Sequence, residues 1–175
     1  MSSNEQKIRQ LKDRLKKRDT SVLLQTLKEV KMEGNHSLIP YLVMILNDVD
    51  SPDIENRILD ILNNLNSQSA TSYLIEAIEN TNDEKNLHIL ISACWKNGLD
   101  YSLFLDVFVN LFIEHDFDIA LEAFTVIENA TKNAAETEID RMLDYMKSSL
   151  ADLSNEKQAL MKELIYMLER RKETY

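Results

Sequence analysis

Two glycines and two prolines in 175 residues constrain this chain more than any other feature. Average usage would supply about twelve and nine, and a sheet-rich fold draws on such residues for its many tight turns. A chain this poor in them has few places to reverse sharply, so the expected class is all-α. At this length one domain over residues 1–175 is expected.

Periodicity agrees. Apolar residues spaced three and four apart, separated by Ser, Asp and Asn at helix-start positions, divide the chain into about ten helical segments. They fall in pairs. "SLIPYLVMILN" precedes "SPDIENRILDILNNLN", "SATSYLIEAIEN" precedes "NDEKNLHILISACWKNG", "YSLFLDVFVNLFIEH" precedes "DFDIALEAFTVIENA", and "ETEIDRMLDYMKSSLA" precedes "SNEKQALMKELIYMLERRK". First members begin near 37, 69, 101 and 136, second members near 51, 82, 116 and 154. A recurrence of this length marks a solenoid of stacked helix pairs.

The unit "LIPYLVMILNDVDSPDIENRILDILNNLN" resembles a HEAT repeat, and more loosely an armadillo repeat. It has an apolar first helix with an early proline, an aspartate-rich turn, and a second helix opening on the β-branched Ile54, with Ile58, Ile61 and Leu62 at core spacing. It departs from the HEAT pattern after that β-branched residue, where Glu55 replaces the usual basic residue and Arg57 follows two places on. The resemblance implies a right-handed α-solenoid of about five stacked antiparallel helix pairs. Residues 1–34 and 136–175 would form the capping pairs, and 37–130 the best-defined repeats.

Charge is unevenly spread over a net of −10. Residues 1–19 hold seven basic groups (Lys7, Arg9, Lys12, Arg14, Lys16, Lys17, Arg18) against three acidic ones, whereas 35–130 hold sixteen acidic groups against Arg57, Lys85 and Lys96. The acidic middle should repel nucleic acid and anionic membrane and attract basic partners. A basic N-terminal helix could touch phosphate, as in helical-repeat alkyl-purine glycosylases. Those grip DNA along a basic concave surface, and the second helices here are acidic or Asn-rich, so nucleic-acid binding is not expected. "KIRQLKDRLKKR" instead carries Ile8, Leu11 and Leu15 at docking spacing. The most apolar run, "LFLDVFVNLFI" at 103–113, is broken by Asp106 and Asn110 and is shorter than the ~20 residues of a spanning helix. A lone cysteine, Cys94, and an opening without an apolar h-region suggest a cytoplasmic setting.

Chemistry-bearing motifs are sparse. Asp48, Asp50, Asp53 and Glu55 suggest a calcium loop, but counting from Asp48 the sixth place is Asp53 where glycine is required, and the twelfth is Leu59 where glutamate is required. They fit a turn in which Ser51 caps a helix, Pro52 opens it, and Asp53 and Glu55 meet the positive end of its dipole. "NTNDEK" and "EHDFD" (with His115) occupy equivalent turns, so three acidic turns have one structural explanation. No metal or cofactor is expected. Cys94 continues the stripe Leu87, Leu90, Ile91 and reads as core, and Gly98 as the helix stop. Trp95 shares a stripe with His88 and Ser92, either at the edge of the core or as a partner anchor. "YSLFLDVFVNLFIEH" is apolar on nearly every face, as a centrally buried helix would be, while Phe104, Phe108 and Phe112 could alternatively form a self-association surface.

These readings converge on a non-catalytic protein-interaction scaffold. Its exposed second helices would form a ridge where Glu55, Asp60, Asn63, Asn64, His88, Ser92, Trp95 and Glu128 receive a basic or amphipathic segment of another protein. The rival is a HEAT-like lyase or glycosylase, which would need a deep pocket holding a polar cluster.

Overall fold

The computed structural model describes residues 3–173, the last two by backbone alone. Ten α-helices follow in order: α1 (Ser3–Leu15), α2 (Thr20–Glu33), α3 (Ile39–Asp48), α4 (Pro52–Asn63), α5 (Ala70–Glu79), α6 (Glu84–Lys96), α7 (Leu105–Glu114), α8 (Phe117–Ala130), α9 (Glu136–Ser149) and α10 (Asn155–Glu173). No strand occurs among the described residues, and the chain is all-α. None of these helices is long and apolar enough to cross a membrane.

Local chemistry sets the helix boundaries. Asp19, Asp83 and Asp116 each occupy an N-cap and accept the backbone N–H three residues on, from Val22 (2.9 Å), Asn86 (2.8 Å) and Ile119 (3.1 Å). The acidic turns at 80–85 and 114–118 are therefore helix starts. Ser51 holds the N-cap position of α4, but its side chain makes no capping bond, and Pro52 in the first turn has no N–H to be satisfied. Ser37, the first residue of the segment "SLIPYLVMILN", does not cap α3. Pro40 cannot donate to the His36 carbonyl, so Ile39 N–H takes that carbonyl instead in a 3-10 turn, His36–Leu38, whose Ser37 N–H is held by the Asn35 side chain at 2.9 Å. Asp100 holds the Ser102 N–H in the same way (2.9 Å) before a 3-10 turn, Ser102–Phe104, so α7 begins four residues later than the pattern of apolar residues suggests. The two glycines sit where their freedom is needed: Gly34 (φ +63) ends α2 and Gly98 (φ +67) follows α6.

The chain divides into two compact units between Leu99 and Asp100, a division that the repeat spacing does not mark. In the first, α1 packs on α3 and α3 on α5, while α2 packs on α4 and α4 on α6. The two rows are joined by the pairs α1–α2, α3–α4 and α5–α6. Each helix buries a stripe to make this possible. In α4 the stripe is Ile54, Ile58, Ile61 and Leu62, each side chain contributing about 1.5–3 kcal/mol by leaving water. Cys94 lies in this core, as expected.

In the second unit α7 packs on α8, α9 on α10, α7 on α9 and α8 on α10. Tyr101 and Phe108 meet edge to face with centroids 5.8 Å apart. Phe108 and Phe112 are fully buried, because α7 is covered by both α8 and α9. The expectation of a centrally buried helix holds for Phe108 and Phe112, which leaves them unavailable for the alternative, a self-association surface with the half-buried Phe104. What α7 leaves exposed is Asp106, Asn110 and Glu114. Lys157, buried in α10, donates to the carbonyls of Ile113 (2.8 Å) and His115 (2.7 Å) and so closes the C-terminal end of α7. Burial lowers its pKa, and the charge of Asp116 opposes that shift.

These caps separate by substitution. Asp116→Ala should lower the stability of the second unit by about 1 kcal/mol, whereas Ser51→Ala should change the first unit by no more than a few tenths, since only Asp116 makes the capping bond. Thermal or urea unfolding of the two variants checks this.

Candidate protein-interaction surfaces

The second-helix row of the first unit presents most of the residues proposed above. Glu55 and Asp60 lie on α4, with Asn64 exposed one turn after Asp60, and His88 and Trp95 are exposed on α6. Trp95 is just over a third exposed, with the Lys96 ammonium 5.1 Å from the ring centroid. Two candidates are placed otherwise. Ser92 is buried, donates to the Ile89 carbonyl and accepts from Lys96, because the α6 stripe that carries it turns into the core between His88 and Trp95. Asn63 is half-buried, and its carbonyl oxygen is enclosed without a hydrogen-bond partner. Glu128 is exposed on α8, in the second unit.

Electrostatics changes the character of the row. Lys31 of α2 donates to Asp60 at 2.6 Å, and Lys85 of α6 bonds Glu55, whose carboxylate raises the Lys85 pKa. Asn64 also donates to Asp60, through its carbonyl (2.7 Å) and its carboxylate (3.2 Å). Both acidic residues of α4 singled out in sequence are therefore met by lysines of the flanking helices, and the row is mixed in charge.

The basic first helix is explained the same way. Arg14 makes a two-pronged bond with Glu29 of α2, both contacts at 2.7 Å, and Lys7 pairs with Glu33. Lys12 and Lys16 lie over the Tyr41 ring of α3 at 5.5 and 5.7 Å, and Arg18 reaches Asp48 at 3.3 Å. Its positive charge is used against the acidic body of its own unit, consistent with the docking role.

Further carboxylates lie on the other row. A groove of about 440 Å³ between α3 and α5 is lined by Val43, Met44, Tyr73 and Ala77 with Asp48 and Glu76, and by no basic residue. A second depression of about 520 Å³ shares Asn47, Asp48, Asn80 and Thr81 with it and adds Asp50, Glu55 and Asp83, with Lys85. Reading the sequence for second-helix residues passed over this trough. The signal for it lay in the repeat, since Tyr41 and Tyr73 hold the same place in successive first helices. A third cleft, about 390 Å³, opens at the ends of α2 and α4 over Ile39, Leu42 and Ile61. No group of three or more His, Cys, Asp or Glu placed to hold a metal ion occurs among the described residues.

No protein-family model and no curated protein matches this chain.

The Arg14–Glu29 pair makes the first unit sensitive to acid. Arg14 holds the Glu29 carboxyl below its usual range, against a smaller opposing effect of burial. Its stabilisation is complete above about pH 4.3, the unfolded value, and is lost as pH falls through the lowered folded value. Glu29→Gln should therefore reduce stability at neutral pH and shrink the additional loss on acidification, measured by urea unfolding from neutral pH down to pH 3 and below.

Proposed function

We propose that this chain is a non-catalytic protein-interaction module, a HEAT-like right-handed α-solenoid of about five helix pairs acting in the cytoplasm. It would take a basic or amphipathic segment of another protein. The observation that carries this reading is the distribution of charge. Residues 35–99 hold nine carboxylates against three basic groups, and pairing inside the unit meets Glu55 and Asp60 of α4 while leaving an acidic surplus beside the apolar lining of the α3–α5 groove. Further support comes from the packing. Each unit stacks helices on their next-but-one neighbours, the arrangement that a helical-repeat scaffold uses to hold a surface rigid so that binding orders little.

Trp95, beside His88 on α6, adds a half-exposed aromatic of the type that anchors partners.

The reading is tested with the whole chain on an array of amphipathic helical peptides in matched basic and charge-reversed versions. The basic members should retain it at low ionic strength and release it as salt rises. Equal retention by both versions, or by neither, contradicts the reading.

A further inference from the structure

We propose that the trough between α3 and α5 is the docking site for an amphipathic helix of another protein, whose Lys or Arg pair, spaced four apart, lies over Tyr73 between Asp48 and Glu76. The proposal rests on the interaction-module reading above and supplies its site.

The molecule contains a template for this contact. In the groove between α1 and α3, Lys12 and Lys16 sit over Tyr41. Moving each of these residues forward by 32 positions gives Met44, Asp48 and Tyr73, and all three line the groove between α3 and α5. The ring is kept in the second groove and its two cations are replaced by a thioether and a carboxylate. An ammonium over a tyrosine face is attracted by the ring quadrupole, by about 0.5–1 kcal/mol at an exposed site. The first groove obtains that attraction from its own chain, whereas none of the residues lining the second carries a positive charge.

The rest of the trough points to the same occupant. Val43, Met44 and Ala77 with Pro40 form an apolar floor suited to the greasy side of a helix, and Met44 adapts readily to whatever packs on it. Asp48 and Glu76 flank the groove, and Asp50 and Asp83 continue the negative potential into the adjoining depression, where the one ammonium, Lys85, is bonded to Glu55. Asp48 already meets the Arg18 guanidinium from outside the groove, a pair between exposed groups. Such a pair contributes about 0–1 kcal/mol, so it does not hold the carboxylate against a better-placed cation. The ring of His36 lies 5.2 Å from that of Tyr73, tilted by 50°.

The probe is a labelled peptide of residues 3–18 of this chain, which carries Ile8, Leu11 and Leu15 on one face and Lys12 and Lys16 four apart. Its binding to the full-length protein is followed by fluorescence anisotropy at low ionic strength. Glu76→Lys, at an exposed position, should weaken binding about tenfold or more, a loss of about 1.4 kcal/mol per tenfold. Asp48→Lys should do the same, and Glu163→Lys, exposed in the second unit, should not. A peptide with Lys12 and Lys16 replaced by Glu should not bind. Circular dichroism of each variant confirms that it is folded. If Asp60→Lys abolishes binding while Glu76→Lys and Asp48→Lys leave it intact, the trough is wrong and the second-helix row is the site. Loss on Tyr41→Ala with both trough variants unaffected means that the probe merely displaces α1, which also overturns the proposal. No binding to the wild type overturns the trough and the basic-segment reading together.

Discussion

Helices of 10–14 residues, the length of α2 through α9, are marginal in water even when their sequences favour helix. What holds them in this protein is burial of one apolar stripe against the next-but-one helix and another against the partner in its pair. α4 shows the arrangement most fully. It packs on α2, α3 and α6, and Ile54, Ile58 and Leu62 are excluded from solvent by those neighbours. The short turns follow from the same demand, because a helix that must lie beside its neighbour leaves little chain to connect them. Asn35, Asp83, Asp100 and Asp116 satisfy the backbone groups those turns expose.

Charge pairing between helices is the second layer, and it decides what surface is left for a partner. The basic residues of α1 and of the turn after it meet Glu29, Glu33, Asp48 and the Tyr41 ring, and the lysines of α2 and α6 meet Asp60 and Glu55. These pairs are solvent-exposed and individually weak. Their main consequence is spatial: they pair Glu55 and Asp60 of α4 with lysines, whereas the groove on the other row is lined by Asp48 and Glu76 and by no basic residue.

The helical class, the number of helices and the role of the acidic turns were legible in sequence, because each depends on local rules of spacing, capping and glycine content. The burial of Cys94 was equally legible from its stripe. What was not legible depends on contacts distant along the chain. Ser92 shares a stripe with Trp95 yet is buried, on a helix that packs on both α4 and α5. Glu55 and Asp60 looked like an acidic ridge because their lysine partners lie 30 and 29 residues away. That α7 is buried was legible from its all-round apolar pattern, but not that α8 and α9 are the helices that cover it. The boundary between Leu99 and Asp100 follows Gly98, but that glycine reads as a helix stop like Gly34 and does not by itself distinguish a unit boundary from a junction between helix pairs.

Amide hydrogen exchange on Ile58→Ala tests most directly whether stacking holds the first unit together. Ile58 is fully buried at the centre of the second-helix row, and its truncation should destabilise by about 2–5 kcal/mol. If the rows are mutually supporting, amides in α2, α3, α4 and α6 lose protection together. Loss confined to α4, with its neighbours as protected as in the wild type, would contradict the account.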